Sequence, residues 1–138
     1  MFKKRTLEEK IVLRINKSNK NAFIPSDFFD LSDRDQVGRV LRKLVQKEFL
    51  IKLGQGVFAK TKASPITKKR ILATSFSFVA KEALAKLKVK TFPSQAEQDY
   101  NSGKSTQIPT GLMIAVNSRI SRTLTYNGRS IKYERITQ

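Results

Sequence analysis

SDRDQVGRVLRKLVQKEFLIKLGQGVFAK, residues 32–60, decides the fold. Val37, Val40, Leu41 and Leu44 recur at the spacing of one helix face, so a single stripe of this segment must meet a core. At about 100° per residue the opposite side carries Asp35, Arg39, Arg42 and Gln46, with Gln36 and Lys43 on its shoulder. Ser32 is expected to cap this helix, with Asp33 and Asp35 in the first turn, where negative charge suits the helix dipole. Two apolar runs follow, Phe49-Leu50-Ile51-Lys52-Leu53 and Val57-Phe58-Ala59-Lys60. Between them stands Gly54-Gln55-Gly56, whose glycines can take positive φ and close a β-hairpin.

Upstream, Thr6-Leu7-Glu8-Glu9 fits a capping box and starts a helix whose apolar face is Leu7, Ile11, Val12 or Leu13, and Ile15. Ser18-Asn19-Lys20-Asn21 breaks it. Pro25 holds Ile24 extended, and Ser26-Asp27-Phe28-Phe29 opens a second, very short helix entered at Pro25 or Ser26. Three helices followed by a hairpin is the order of a winged helix-turn-helix. Residues 1–62 are expected to form that domain.

Residues 63–138 are expected to form a small helix-plus-antiparallel-β extension, which makes the whole chain α+β. Residues 61–67, with Pro65, read as a connector, and residues 71–89 as mostly helical around Phe78, Val79, Ala83, Leu84 and Leu87. Residues 94–107 are polar and rich in turn formers. Residues 112–116 read as a buried strand. Residues 120–126 and 129–135 alternate around Asn127-Gly128, and a two-residue loop there pairs Leu124 with Ile131 and Arg122 with Tyr133.

Charge narrows the function. The 138 residues hold 28 Lys+Arg against 11 Asp+Glu, a formal net charge of +17. The surplus is spread over the length, with fifteen basic residues against seven acidic up to Lys62 and thirteen against four beyond it. Attraction to a polyanion follows, and DNA, RNA and anionic lipid all qualify. A 39% apolar content with nine Phe is enough for a core. Zero Cys and zero His exclude disulfides, zinc fingers and every His-based acid/base arrangement. The acids suggest no metal-binding cluster, and Gly103-Lys104-Ser105-Thr106 lacks the upstream glycine of a phosphate-binding loop, since position 98 is Gln98. Neither catalysis nor a cofactor or metal is therefore expected. No apolar run is long enough to span a bilayer, and the charged start has no hydrophobic segment behind it, so a cytoplasmic protein without a membrane partner is expected.

In a helix-turn-helix the second helix of the motif enters the major groove, its first turns reaching base edges while phosphate contacts fix the pose. Arg39 suits guanine O6/N7 and Gln36 suits adenine N6/N7. Arg34 and Asp35, nearer the helix start, read bases or serve the helix itself. Arg42, Lys43 and Lys47 suit phosphate. Lys52, Gln55 and Lys60 would bring the wing to the backbone or minor groove, and Lys3, Lys4 and Arg5 form a candidate basic arm. Phe28, Phe29, Phe49 and Phe58 are expected in the core. Tyr126 and Tyr133, alternating with Arg122, Arg129 and Arg135, suit base stacking and a half-buried hairpin equally.

Arg39-Val40-Leu41-Arg42-Lys43-Leu44-Val45, followed by Phe49-Leu50-Ile51-Lys52-Leu53-Gly54-Gln55-Gly56-Val57-Phe58-Ala59-Lys60, resembles the recognition helix and wing of the AbiEi-like antitoxins of bacterial type IV toxin-antitoxin systems. Ile108-Pro109-Thr110-Gly111 and Asn127-Gly128-Arg129-Ser130-Ile131-Lys132-Tyr133-Glu134-Arg135 look like the C-terminal region of a short branch of that group. The resemblance implies a winged helix that represses its own operon, read through Gln36, Arg39, Arg42 and Lys43. It also implies a C-terminal part that opposes a nucleotidyltransferase-type toxin without necessarily forming a stable complex. The expected partners are double-stranded promoter DNA, a cognate toxin and a second copy of the chain, since two half-sites multiply a weak single-module affinity. The rivals are a stand-alone winged-helix regulator without a toxin and an RNA-binding protein.

Overall fold

Thr6 opens the first helix of the computed structural model, which describes residues 5–136. Its hydroxyl accepts the Glu9 amide at 3.2 Å and donates to the Glu9 carboxylate at 3.3 Å. Helix α1 therefore spans Leu7–Lys17, with Ile11 and Ile15 fully buried. The chain then passes through a two-residue strand, β1 (Ala22–Phe23), and a 3₁₀ turn, Pro25–Phe28. Pro25 fits the first position of that turn because it has no amide to satisfy, and the Asp27 carboxylate accepts the Ile24 amide at 3.0 Å. Arg14 ties α1 to this turn through two bonds to the Asp30 carboxylate, at 2.6 and 2.8 Å, and one to the Asp27 carbonyl at 2.8 Å. The guanidinium holds the Asp30 carboxyl below the usual carboxylate range, and Asp30 in turn raises Arg14.

Helix α2 spans Arg34–Gln46 and is capped by Asp33, whose carboxylate accepts the Gln36 amide at 2.9 Å. The cap thus falls one residue beyond the expected Ser32, and a carboxylate there meets the helix dipole as well as a free amide. Val37, Leu41 and Leu44 are buried. They join Ile11, Ile15, Phe23, Phe28, Leu50 and Phe58 in one cluster. Each such side chain contributes roughly 1.5–3 kcal/mol on burial, so this cluster dominates the stability of the segment. Phe29 is 45% exposed and lies outside that core, contrary to expectation, while Phe49 packs against it half-buried.

Strands β2 (Leu50–Gly54) and β3 (Val57–Ala63) pair antiparallel with Gly54 opposite Val57. That register leaves a two-residue turn in which Gly56, at φ 70°, is the residue that requires glycine. Strand β3 continues past Lys60, and the chain returns as β4 (Arg70–Leu72) beside Thr61, Lys62 and Ala63. The expected connector is thus a second hairpin. Ser64 makes it, accepting the Ile66 and Thr67 amides on its hydroxyl while its own amide donates to Lys69. Lys60 donates its amide to Asn21 and accepts the Ala73 amide, so β1 and β4 lie end to end along the same edge of β3. The first of two compact units accordingly runs Met1–Thr74, further than residue 62, and the second runs Ser75–Gln138.

In the second unit Ser75 caps helix α3 (Phe76–Lys86). Ile71, expected at the start of that helix, belongs to β4 instead. A short strand, β5 (Thr91–Phe92), precedes helix α4 (Gln95–Asn101) in the segment expected to be turns. Ser94 caps α4, and the Gln95 amide group donates to Asp99 one turn on. Strand β6 (Met113–Val116) is central to a three-stranded sheet of order β5-β6-β9, with β9 (Lys132–Arg135) parallel to it. The short strands β7 (Thr125–Tyr126) and β8 (Arg129–Ser130) keep the expected hairpin register, and the Ile131 amide reaches the Leu124 carbonyl at 2.9 Å. The chain then leaves the hairpin for β6, whose buried Ile114, Ala115 and Val116 need a ladder on both edges. Arg122 and Tyr133 are therefore not ladder partners, though the Tyr133 hydroxyl donates to the Arg122 carbonyl at 2.9 Å.

The protein is mixed α+β, and among the described residues no helix is long and apolar enough to cross a membrane. Helix α2 ends with the Glu48 amide on the Val45 carbonyl and the Phe49 amide on Leu44, a closure that puts Glu48 at φ 62°. Glycine is the usual occupant there, since a side chain adds roughly 1–2 kcal/mol of strain. Glu48→Gly is predicted to stabilise the protein by about 0.5–1 kcal/mol in urea unfolding, the relief being partly offset by unfolded-chain entropy. Glu48→Ala is predicted to give no such gain.

Candidate functional site

Burial of Val37, Leu41 and Leu44 fixes the rotation of α2 and leaves two cationic stripes outside. Counted from Val37 at about 100° per residue, Arg34, Gly38, Arg42, Asp35 and Arg39 lie between about +60° and +200°. Gln36, Lys43 and Lys47 lie near −80° to −120° on the same count. The sequence pattern placed both stripes outside the core without ranking them. Their surroundings in the fold are different.

The first stripe borders an open groove of about 660 Å³ between α2 and the β2–β3 turn. Arg34, Arg39 and Arg42 line it from the helix, Lys52, Gln55 and Gly56 line it from the hairpin, and Pro25 and Phe58 supply its apolar part. Arg34, Arg39, Arg42, Lys52 and Gln55 are all exposed. None of the four groove cations has an ion-pair partner among the described residues. Asp35 is the one acid on the groove wall among the described residues. Four cations against one carboxylate, three of them planar guanidinium groups, converge from a helix face and a hairpin, a donor set whose chemistry suits phosphate and base edges.

The second stripe faces α1. Lys47 donates to the Glu8 carboxylate at 2.8 Å, and Lys43 approaches its other oxygen at 3.7 Å. The hydrogen bond from Lys47 holds the Glu8 carboxyl below the usual carboxylate range, and the charge of Lys43 adds to the effect. Gln36 is exposed on this same stripe, away from the groove wall. Lys60, expected at the wing, extends its ammonium to the Ser18 carbonyl at 3.2 Å, just past the end of α1. That carbonyl lies at the negative end of a helix, where a cation is stabilising.

Of the nine residues expected to touch DNA, the fold brings Arg34, Arg39, Arg42, Lys52 and Gln55 to one groove and places Gln36, Lys43, Lys47 and Lys60 elsewhere. Lys3 and Lys4 lie outside the described residues, while Arg5 is exposed. Sequence reasoning missed Gly38, which lines the groove and would bring a Cβ to 3.4 Å from the Arg42 guanidinium. A glycine in mid-helix is unfavourable by about 1 kcal/mol against Ala, and that was its signal.

In the second unit the residues singled out from the sequence have other surroundings. Tyr126 packs against Phe76 with ring centres 6.0 Å apart and ring planes tilted by 57°, and Tyr133 is half-buried with its hydroxyl bonded and its ionisation disfavoured by burial. Both are part-buried, the placement expected of a half-buried hairpin. Gly103 follows the end of α4, where the Lys104 and Ser105 amides close onto the Asp99 carbonyl, so Gly103-Lys104-Ser105-Thr106 ends a helix. No group of three or more acids occurs with metal-binding geometry among the described residues.

A family model described as a family of unknown function, DUF6088, matches residues 10–138, nearly the whole chain, and the chain belongs to that family. No curated protein and no solved structure matches it.

Gly38→Ala is predicted to raise stability by about 0.5–1 kcal/mol in thermal unfolding, through helix propensity. The new methyl meets the far end of a flexible side chain, which can give way. A fall in stability would mean that the Arg42 guanidinium is locked over position 38.

Proposed function

We propose that this member of the DUF6088 family is a DNA-binding antitoxin-type autorepressor whose first unit is a winged helix-turn-helix. In this reading the 3₁₀ turn and α2 form the helix-turn-helix, α2 is the recognition helix, and β2–β3 is the wing. The observation that carries it is the groove in which Arg34, Arg39, Arg42 and Lys52 stand without counter-ions beside Gln55. Arg39, about one and a half turns into the helix and exposed, serves as the guanine-reading residue, and Arg34 and Gln55 flank it. Arg42 and Lys52 neutralise phosphates on either side. Gln36, Lys43 and Lys47 have a lesser part than their sequence positions suggest, because their stripe faces α1 and the two lysines share Glu8.

Duplex DNA from the upstream region of the gene is predicted to bind, with affinity falling as salt rises. Arg39→Ala combined with Arg42→Ala should weaken binding about 10- to 100-fold and make the slope of log affinity against log salt shallower by roughly one to two. An unchanged affinity and slope, or tighter binding to structured RNA than to the duplex, would overturn the DNA reading.

The toxin-opposing part of the proposal is supported by the resemblance of residues 108–111 and 127–135 to AbiEi-like antitoxins, and it attaches to the second unit. Co-expression with the nucleotidyltransferase-type protein encoded beside this gene should restore growth. The Arg39/Arg42 double variant should keep the rescue while losing repression. Persistent growth arrest would leave a stand-alone regulator.

A further inference from the structure

We infer that the groove beside Leu13 on the outer side of α1 is a docking site for an acidic helical segment of a partner protein, one that carries a large apolar side chain between two carboxylates. The groove is an open concavity of about 790 Å³ and shares no residue with the one between α2 and the β2–β3 turn. Leu13 and Leu31, both only partly buried, supply its apolar part. Arg5, Lys10, Arg14 and Lys17 line it with cations. Counted from the fully buried Ile11 at about 100° per residue, Leu13, Lys17, Lys10 and Arg14 fall at about −160°, −120°, −100° and −60°. Leucine and cations therefore share one face of the helix.

The acids of α1 lie off that face. Glu8, at about +60° on the same count, is bound to Lys47 and Lys43. Glu9, at about +160°, lines a neighbouring concavity and not this one. Arg14 is engaged by Asp30 at 2.6 Å. Arg5, Lys10 and Lys17 are exposed and have no ion-pair partner among the described residues.

That combination selects the occupant. Three unpaired cations call for an anionic partner, which the same face of a second copy does not supply. A nucleic-acid backbone would meet the cations but leave the two leucines without an apolar partner. An acidic amphipathic helix meets both demands in the helix-in-groove manner. Lys10 and Lys17 stand seven residues apart, about 10.5 Å along the axis. Carboxylates two turns apart on the partner span the same distance, with an apolar side chain between them to cover Leu13 and Leu31. The inference does not rest on the DNA reading, since the two grooves have separate linings.

Fluorescence anisotropy tests it, with the full chain titrated into a labelled Ala/Gln-based peptide of about 15 residues at about 0.15 M salt. The peptide carries two Glu seven positions apart and a Leu midway. It should bind with a Kd of about 10–100 μM. Replacing its Leu with Ser should weaken binding about tenfold, and replacing both Glu with Lys should abolish it. Lys10→Glu combined with Lys17→Glu should weaken binding of the Glu-Leu peptide about tenfold and create affinity for the Lys-Leu peptide, a recovery that an unfolded variant could not give. Leu13→Ser should remove the preference for Leu over Ser in the peptide. Arg39→Ala combined with Arg42→Ala should bind the peptide as the wild type does, which separates this inference from the DNA-binding reading. Equal binding of the Leu and Ser peptides by the wild type, no recovery with exchanged charges, or displacement of the peptide from the Arg39/Arg42 variant by a short DNA duplex or by anionic vesicles would overturn the site.

Discussion

One packing constraint governs the first unit: Val37, Leu41 and Leu44 must face Ile11, Ile15, Phe28 and Leu50. Because three residues on a helix define a rotation, every other α2 side chain is assigned a direction once these are buried. The hairpin is then placed by Leu50 and Phe58, which join the same cluster. The groove is thus a consequence of the core. Its four cations have no ion-pair partner among the described residues and remain available to a ligand.

Electrostatics then separates two stripes of similar composition. On one, Glu8 draws Lys47 and Lys43 toward α1, a pairing weak in energy at the surface but sufficient to orient two flexible side chains. On the other, Arg34, Arg39, Arg42 and Lys52 share the groove with one acid among the described residues, Asp35. A chain with net charge +17 is drawn to any polyanion. In the proposed reading, selection among polyanions would come instead from shape, from a helix face and a hairpin converging on one groove, and from planar guanidinium donors that suit base edges.

Much of the first unit was legible in the sequence. The apolar spacing of α2, the Thr6 start of α1, the extended Ile24 before Pro25 and the turn at Gln55-Gly56 each follow from local chemistry, and all are present. Three features were hidden because they depend on distant partners. Glu8 and Lys47 are 39 residues apart, so their pairing has no local signature. Lys60 reads as a wing residue until the end of α1 is found beside it. The continuation of β3 into a second hairpin requires a strand, Arg70–Leu72, that helical periodicity downstream had masked. In the second unit, Asn127-Gly128 fixed the hairpin register correctly, but nothing local announces that the chain changes sheets after Ile131. Gly38 was readable and overlooked, being a helix-weakening residue within an otherwise well-formed helix.

The central claim is that the groove stripe of α2, and not its neighbour, meets the duplex. Amide chemical-shift mapping during titration with a short promoter duplex tests this most directly. The account predicts that the largest changes fall on residues 34–42 and 52–56, with Lys43, Lys47 and Lys60 little affected. Changes concentrated on Lys43 and Lys47, or confined to residues 75–136, would contradict it.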